Sequence, residues 1–400
     1  MKETLERIEQ YGIEVILGRD LSFRARLLRL ILRGLSGLYA SAVQARLLLY
    51  RQRLIHDHDL GCMTVSIGNL TVGGTGKTPV VEMIARALVR RGRRVAILSR
   101  GYKSRSRHRK VLGRKTEDPP RVVSDGNDLL LDSLESGDEP YMLAANLPGV
   151  SVVVDKNRVK GGHHAQRWLD ADTLLLDDGL QYLRLRRRLD VVLVDRTAPF
   201  GNEHLLPRGT LREPAANLRR ASYIFLTKCN GEPNDALIGR IRRYNRTAEI
   251  IECTHQPRYL QHLVTGERLP LEDLQGKFVG AISGIAVPES FENGLRRLGA
   301  DVGVVARFAD HHRFAPREVG DFLARCLDRD MHFVVTTEKD AVRFPPLDRL
   351  DIPVYFLRIE IDIVNGHDHF DAFLSRICNP PPGAPAAAPH SHPPRGPNNG

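Results

Sequence analysis

The sequence predicts an α/β architecture: a mostly parallel sheet with helices on both faces, joined to a second, smaller α/β unit. Three observations carry this expectation. Apolar, β-branched runs of strand length alternate with segments of helical periodicity from about residue 60 onward. One such run passes through a glycine-rich turn straight into a helix start. The alternation begins afresh near residue 250, in a chain of 400 residues, which is long for a single core.

Residues 1–20 read as a polar N-terminal helix. The segment from Leu21 to Tyr50 is basic and apolar together. At helical spacing Leu27, Leu28, Ile31, Leu35, Leu38 and Ala42 share one face, and Arg26, Arg29 and Arg33 the opposite one. Its longest uncharged run, Gly34 to Ala45, is too short for a bilayer, which needs roughly 20 residues. The pattern suits a helix lying in the interface of an anionic membrane, or one packed on the protein's own core with its arginines in water. Residues 1–50 are therefore set apart as a membrane-associating segment.

The stretch Thr64–Pro79, TVSIGNLTVGGTGKTP, organises the rest of the chain. Thr64 to Ile67 reads as a strand and the residues after Lys77 as a helix. Between them Gly73, Gly74 and Gly76 let the backbone curl so that N–H groups of Thr71, Val72, Gly73, Gly74, Thr75 and Gly76 line a concave nest on a helix N-terminus, which binds phosphate. Lys77 reaches β- and γ-phosphates, and the Thr78 hydroxyl ligates Mg²⁺. Thr71 stands where the first glycine of G-x-x-x-x-G-K-[ST] is expected. A helix from Val80 to Arg91, with Gly92 as its stop, and a strand from Arg93 to Leu98 come next. That strand ends in Ser99, Arg100, Gly101 and Tyr102, at the sheet edge where ligands bind in open α/β folds. Residues 103–121 are basic and turn-rich, as a solvated surface or a substrate contact would be.

Gly137-Asp138-Glu139-Pro140 precedes a helix-like YMLAANL. Two acids at a helix start are compatible with an N-cap and equally with a base or metal ligand. Val150 to Val154 and Thr173 to Leu176 are strands; the second runs into Asp177 and Asp178, the Walker-B pattern, in which a carboxylate approaches Mg²⁺ beside the phosphate loop. Leu189–Asp195 and Ser222–Lys228 are further strands. Between them Phe200–Pro214, with Arg208 and Arg212, forms a shaped loop without low complexity. These features bound a phosphate-loop domain over 51–250.

In the second unit, 251–378, strands are expected at Glu249–Cys253, Lys277–Ile282, His332–Thr336 and Val354–Ile361, and a helix at Ser290–Leu298. Asp310-His311-His312 and Thr337-Glu338-Lys339-Asp340 stand out as polar clusters, since an Asp orients an imidazole. The Pro-rich tail, 379–400, is expected to be disordered.

The bulk numbers agree. Net charge is +11, which points to acidic partners. The five cysteines are scattered without a C-x-x-C, which argues against a zinc site or a disulfide frame. No secretory signal is visible. The basic run Lys103–Lys110 lacks the aromatic interleaving of a nucleic-acid reader, so no nucleic acid is expected. Residues alone thus imply a phosphate-loop (P-loop) NTPase-like α/β/α sandwich that binds Mg²⁺ and ATP for phosphoryl transfer or hydrolysis.

The ordered set GNLTVGGTGKTP, SRGY, GDEP, DDGLQ, GNEHLLPRGTLREP, SGIAVP, DHHRF and TEKDAVRF resembles the tetraacyldisaccharide 4'-kinase family over about residues 60–345. Thr71 is that family's own form of the loop. Tyr182 departs from the His that many members carry after DDG-x-Q. The resemblance implies transfer of the ATP γ-phosphate to the 4'-hydroxyl of an anionic glycolipid, a lipid A disaccharide precursor. The place implied is the cytoplasmic face of the inner membrane, with no obligate protein partner. It implies Asp138 as base paired with His311, Lys77 on the transferring phosphate, and Thr78, Asp177, Asp178 and Glu139 on the metal side. Arg100, Tyr102, Arg208 and Arg212 are its candidates for substrate contact. A partitioning-type ATPase switch is the alternative; its signature Lys before the paired glycines is Val72 here, and it leaves GDEP and DHH without a task.

Overall fold

Strand β1 (Met63–Asn69) is buried on both faces along almost its whole length. It can be, because its residues are mostly β-branched or small and both neighbours run parallel to it, so helices cover each face. The computed structural model describes residues 11–12, 14–16, 20–101, 110–111, 114–115, 118–346 and 351–379. Residues 1–10 of the expected N-terminal helix, most of the basic run after Arg100, Tyr102 and the tail beyond Asn379 lie outside the described residues.

Helix α1 (Phe23–Arg51) is capped by the Ser22 side chain and buries only Ala25 and Ser36. After β1 come α2 (Lys77–Arg90), β2 (Val95–Ser99), β3 (Arg121–Asp125), α3 (Asp138–Asn146), β4 (Ser151–Val154), α4 (Arg158–Trp168), β5 (Thr173–Asp177), β6 (Leu189–Asp195), β7 (Tyr223–Thr227) and α5 (Asp235–Arg242). The second half holds β8 (Glu249–His262), β9 (Phe278–Ser283), α6 (Pro288–Arg297), β10 (Asp301–Arg307), α7 (Pro316–Leu327), β11 (Phe333–Thr337), β12 (Val354–Asn365) and α8 (His367–Cys378).

All these strands join one sheet, in the order β10-β9-β11-β12-β8-β7-β6-β1-β5-β2-β4-β3, with Arg268–Leu269 added beside β8. Pairing is parallel except at β3–β4, at β8–β12 and at the short strand on β8. Ile67 of β1 lies opposite Asp177 of β5, so the strand that carries the glycine turn and the strand that carries the acid pair end side by side. The glycine turn and the acid pair leave the sheet at this one edge, as the crevice rule for parallel sheets requires.

Strands β8 and β12 are longer than their expected cores, Glu249–Cys253 and Val354–Ile361. The extension of β8 contains Gln256, Pro257 and Arg258, which lower strand propensity. Cross-strand pairing outweighs that: Arg258 meets Glu360 at 3.3 Å and also pairs with Asp362, and the register carries bulges at Glu252/Cys253 and Pro257/Tyr259. This antiparallel ribbon joins the two halves of the sheet. Strand β10 is an edge strand with half-exposed alternation, which the sequence pattern does not single out.

Buried Arg358 on β12 ties three elements together. It donates to Glu82 of α2 and to both carboxylate oxygens of Glu338, at 2.7 and 2.9 Å, just after β11. Asn146, at the end of α3, donates to Glu338 at 2.6 Å. Helix α8 crosses back onto the first half: Phe373, Leu374 and Ile377 share a core with Val80, Ile84, Leu88, Val191 and Phe225. Phe373 stands edge-on to Tyr223 at 4.8 Å.

Because Phe373 is fully buried in that shared core, Phe373→Ala should cost ~3–5 kcal/mol of stability, from lost transfer energy and the cavity left behind. Denaturant unfolding checks this; a loss within about 0.5 kcal/mol, the size of an ordinary surface substitution, would show that α8 is not part of this core.

Candidate active site

The turn after β1 is built by backbone geometry. Gly73 and Gly76 have φ of 112° and 78°, in the region side chains disfavour. A Cβ on Gly76 would also lie 2.4 Å from Nε2 of His255, so this glycine is required twice over. Val72 N–H donates to Thr210 O (2.8 Å), Thr71 bridges to Leu211, and Thr227 Oγ1 donates to Thr75 O (2.9 Å). The turn is thus held by the loop before β7 and by the end of β7. Lys77 opens α2, whose first N–H groups have no partner inside the helix. Thr78 follows in the same turn. Gly74 has open space around it, so its packing sets no demand there.

Lys77 Nζ donates to Asn69 Oδ1 (3.3 Å) and lies 3.9 Å from Asp178 Oδ1. Asp178, with φ of 52°, takes a fork from Arg212 at 2.9 and 2.8 Å. Burial pushes its carboxyl up, but Arg212 and then Lys77 more than offset this and hold it below the usual range. Asp177 is the opposite case. It is 3 % exposed and accepts from Ser99 Oγ (3.2 Å), while its Oδ1 is buried without a partner. Burial, then the charges of Glu139 and Asp178, push it up to about 7. Two neighbouring acids in one chain turn are therefore shifted in opposite directions, Asp178 down and Asp177 up.

Asp138 and Glu139 form the first turn of α3, where the helix dipole favours negative charge. Asp138 Oδ2 accepts from Arg343 Nε (2.7 Å) and faces His311 Nδ1 (3.1 Å); its Oδ1 faces Arg313 (3.3 Å). Burial opposes its ionisation, but His311, Arg343 and Arg313 together hold the carboxyl low. His311, at φ 66°, presents its other nitrogen to Lys339 Nζ at 3.3 Å. Nδ1 also lies 3.2 Å from Arg343 Nη2; an Nδ1–H would donate to Asp138, and Nε2 would then accept from Lys339. His312 turns away, onto Glu318 (2.8 Å) and stacked on Phe308 at 4.6 Å. Lys339 reaches Glu139 at 3.9 Å, and the Glu139 charge is felt at Asp177.

Two contact groups therefore face each other: Lys77 with Asp178, and Glu139, Lys339 and His311 with Asp138; the Asp177 carboxylate between them feels Glu139 and Asp178 through space. Arg212 belongs to the first group. Arg100 is exposed at the end of β2, beyond both. Arg208 lies elsewhere, against α1: its backbone N–H donates to Ser36 Oγ (3.1 Å) and its guanidinium to Ile16 O (2.9 Å). Tyr102 is outside the described residues. Among the described residues no three His, Cys, Asp or Glu side chains form a metal cage by themselves.

Four contributors were not singled out from the sequence. Asn69 bonds Lys77 and Arg212 and braces the turn through Thr71 O (2.8 Å). Arg343 has a fully buried side chain, and Arg313 is the second guanidinium on Asp138. Arg158, 5 % exposed, lies over the Tyr182 ring at 4.9 Å within the field of Asp177 and Asp178. For Arg343 and Arg313 the motifs TEKDAVRF and DHHRF were the available signal; nothing local says that these arginines turn inward.

His255, beneath Gly76, is pushed down to about 4 by burial and then by Lys228. An unfolded His takes its proton near pH 6.5, so the unfolded chain binds the extra proton between about pH 6.5 and 4 and stability falls as pH drops through that window. His255→Gln should flatten this slope by about 3 kcal/mol across the window, a shift of two to three pKa units at about 1.36 kcal/mol each. Denaturation curves at pH 7 and pH 4 measure it; an unchanged slope would show that His255 is not the group responsible.

The comparisons with known proteins point one way. The family model described as Tetraacyldisaccharide-1-P 4'-kinase matches residues 28–379. The chain is 41% identical over 346 residues to a tetraacyldisaccharide 4'-kinase of an Anaeromyxobacter species, covering 85% of this chain and 90% of that one. It is 39% identical over 341 residues to that of Geobacter metallireducens, covering 85% and 96%. Its fold is similar to the crystal structure of apo-form LpxK from Aquifex aeolicus in complex with ATP, at TM-score 0.69 and 29% identity over 88% of this chain and 99% of that one. A P-loop turn beside a split acid pair, and a second acid braced by His311 and two arginines, thus occur in a sequence of this lineage: the chain belongs to the tetraacyldisaccharide-1-phosphate 4'-kinase family.

Proposed function

We propose that this chain transfers the γ-phosphoryl group of ATP to the 4'-hydroxyl of a tetraacyldisaccharide 1-phosphate, with Asp138 as the base, at the cytoplasmic face of the inner membrane. The observation that carries the reading is that Asp138, held by His311 of the second half of the chain, and Lys77 at the glycine turn flank one group of acids, Glu139, Asp177 and Asp178, whose charges act on one another.

The glycine turn and Lys77 hold the β- and γ-phosphates. The substrate hydroxyl approaches Asp138 Oδ1, the oxygen whose partner, Arg313, is half exposed and the more weakly held. The 4'-oxygen bonds to the γ-phosphorus, the bond from that phosphorus to the bridging oxygen of ADP breaks, and the hydroxyl proton passes to Asp138, with His311 as its hydrogen-bonded neighbour. A carboxylate of low pKa suffices, because the transition state is loose and the proton leaves late. Arg212 and Arg158 supply positive charge around the acids. Mg²⁺ fits the donor set: Asp177 Oδ1 is a buried oxygen without a partner, with Asp178, Glu139 and the Thr78 hydroxyl as the further oxygen donors. The absence of an all-protein cage among the described residues suits an ion that keeps phosphate and water ligands. When bound, that ion neutralises charge on the β- and γ-phosphate oxygens.

Incubation of the protein with labelled ATP and the disaccharide lipid should give a phosphorylated lipid, and Asp138→Ala should lower kcat about 10²–10⁴-fold, the usual loss of a general base. Near wild-type kcat in that variant would remove Asp138 from the role, and no labelled lipid from the wild type would end the kinase reading.

The membrane reading rests on α1. Its Leu27, Leu30, Ile31, Leu35 and Leu38 are between 45% and 70% exposed. Among the described residues no helix is long and apolar enough to cross a membrane. An apolar face beside arginines fits the interface of an anionic bilayer, where each leucine contributes about 1.5–3 kcal/mol when buried. Changing Leu27, Ile31, Leu35 and Leu38 to Ser should release the protein from anionic vesicles without lowering its Tm, since none is buried. An undiminished vesicle-bound fraction would overturn the assignment.

A further inference from the structure

Three loops of the second half leave the carboxyl ends of adjacent parallel strands. Gly284 follows β9, His311 follows β10, and Asp340 and Arg343 follow β11. Ser283 lies opposite Arg307 and Ile282 opposite Thr336, so these loops begin side by side. In parallel sheets that edge gathers functional groups. The segments SGIAVP, DHHRF and TEKDAVRF, far apart in the chain, meet there.

Their meeting point is Gly284. Its N–H donates to Asp340 Oδ2 (3.1 Å). Its carbonyl accepts from Arg343 Nη1 (3.1 Å) and from the backbone N–H of His311 (3.2 Å). A Cβ at this position would lie 3.2 Å from Ala309 O and 3.2 Å from Asp340 Oδ1, so a side chain would push on two of the three loops. His311 sits at φ 66°, a backbone state that a residue with a side chain keeps only where its surroundings hold it. The Gly284 carbonyl is one such hold.

Asp340 is fully buried and spends both carboxylate oxygens. Oδ2 also accepts from Thr337 Oγ1 (2.6 Å), and Oδ1 accepts from Arg343 Nη1 (3.0 Å). Nη1 of Arg343 is thereby committed to Gly284 and Asp340. Its Nε donates to Asp138 Oδ2 (2.7 Å), and its Nη2 faces His311 Nδ1 (3.2 Å). A guanidinium is a planar, rigid fork, so fixing one nitrogen fixes where the other two point. Asp138 Oδ2 is thus occupied, and Oδ1 is left toward Arg313, whose side chain is 40% exposed. A fully buried ion pair such as Asp340 with Arg343 is a weak source of net stability; what it secures here is geometry.

We infer that Gly284, Asp340 and Arg343 are positioning residues for the transfer step, a buried knot that orients the Asp138–His311 pair and keeps Asp138 Oδ1 turned to the acceptor hydroxyl. The inference rests on the proposed function, whose base the knot orients. Asp138 opens a helix of the first half and the knot belongs to the second, so the base is complete only where the halves meet. Because the three residues act through Asp138 and His311, they govern turnover and leave substrate affinity alone.

The test measures kcat and both KM values, with labelled ATP and the disaccharide lipid, for wild type, D340N, R343K, D138A and the double variants D138A/D340N and D138A/R343K. D340N and R343K should each lower kcat about ten- to hundredfold, the effect of losing a hydrogen bond between charged groups, with KM for ATP and acceptor within about twofold of wild type. Lysine keeps the charge of Arg343 but not its fork, so wild-type kcat in R343K would reduce the residue to a point charge and overturn the inference. In the D138A background either substitution should cost less than about twofold more, since groups that act through one another are not additive. A full further loss there would show general structural damage and overturn it, as would a raised acceptor KM with kcat intact. Thermal unfolding shows whether D340N folds; if it does not, R343K and its double variant decide alone. D138A impaired with D340N and R343K unimpaired overturns the knot and leaves the kinase reading standing. D138A with wild-type kcat overturns both the base and the knot.

Discussion

The constraint on which the rest depends is the parallel placement of β1 between β5 and β6. Parallel neighbours must be reached by crossovers, and their carboxyl ends therefore emerge at one edge. With Ile67 opposite Asp177, the glycine turn and the acid pair cannot be far apart, whatever the chain between them does. The N-terminus of α2 adds partial positive charge at that edge. Everything else in the site is an adjustment of charge around this meeting point.

Those adjustments come mostly from the second half of the chain. Asp138 belongs to the first half, but the groups that hold it, His311, Arg313 and Arg343, come from the second. The two halves are fixed to one another by the β8–β12 ribbon and by Arg358, which grips the helix after the glycine turn and the turn that carries Lys339. A buried arginine with several carboxylates is a weak source of net stability but a strong source of geometry, since removing one partner strands the others. Here it ties the helix that begins at Lys77 to the turn that carries Lys339, next to His311 and Asp138. The pair Asp177 and Asp178 follows the same logic: burial raises the pKa of the first, and Arg212 holds that of the second down.

Much of this was legible in advance. Glycines at positions 73 and 76, with a strand before them and a helix after them, predict the curled turn that the structure shows, with φ of 112° and 78°. An apolar run that ends in two acids is equally local. The order of motifs along the chain was sufficient to place the sequence in a family. Less legible were the elements whose stability is not their own. The far half of β8 is polar and contains a proline, and it is a strand only because β12 lies beside it. Arg343 reads as one basic residue among many until burial removes water and leaves it with Asp138. Arg208 and Arg212 look alike in one basic loop, yet Arg212 faces the acids and Arg208 a helix from near the start of the chain.

Residues close in the chain settled the glycine turn, the helix starts and the strand-ending acids, since these depend on φ, ψ and periodicity within a few residues. Partnerships between distant segments were settled by packing: which of two histidines meets Asp138, which arginine reaches Asp178, which face of α1 stays uncovered. The physical reason is that charge and burial are set by whatever arrives from elsewhere in the sheet. His311 and His312 differ by one position and share a motif, but a left-handed φ of 66° at the first aims it at Asp138 while the second goes to Glu318.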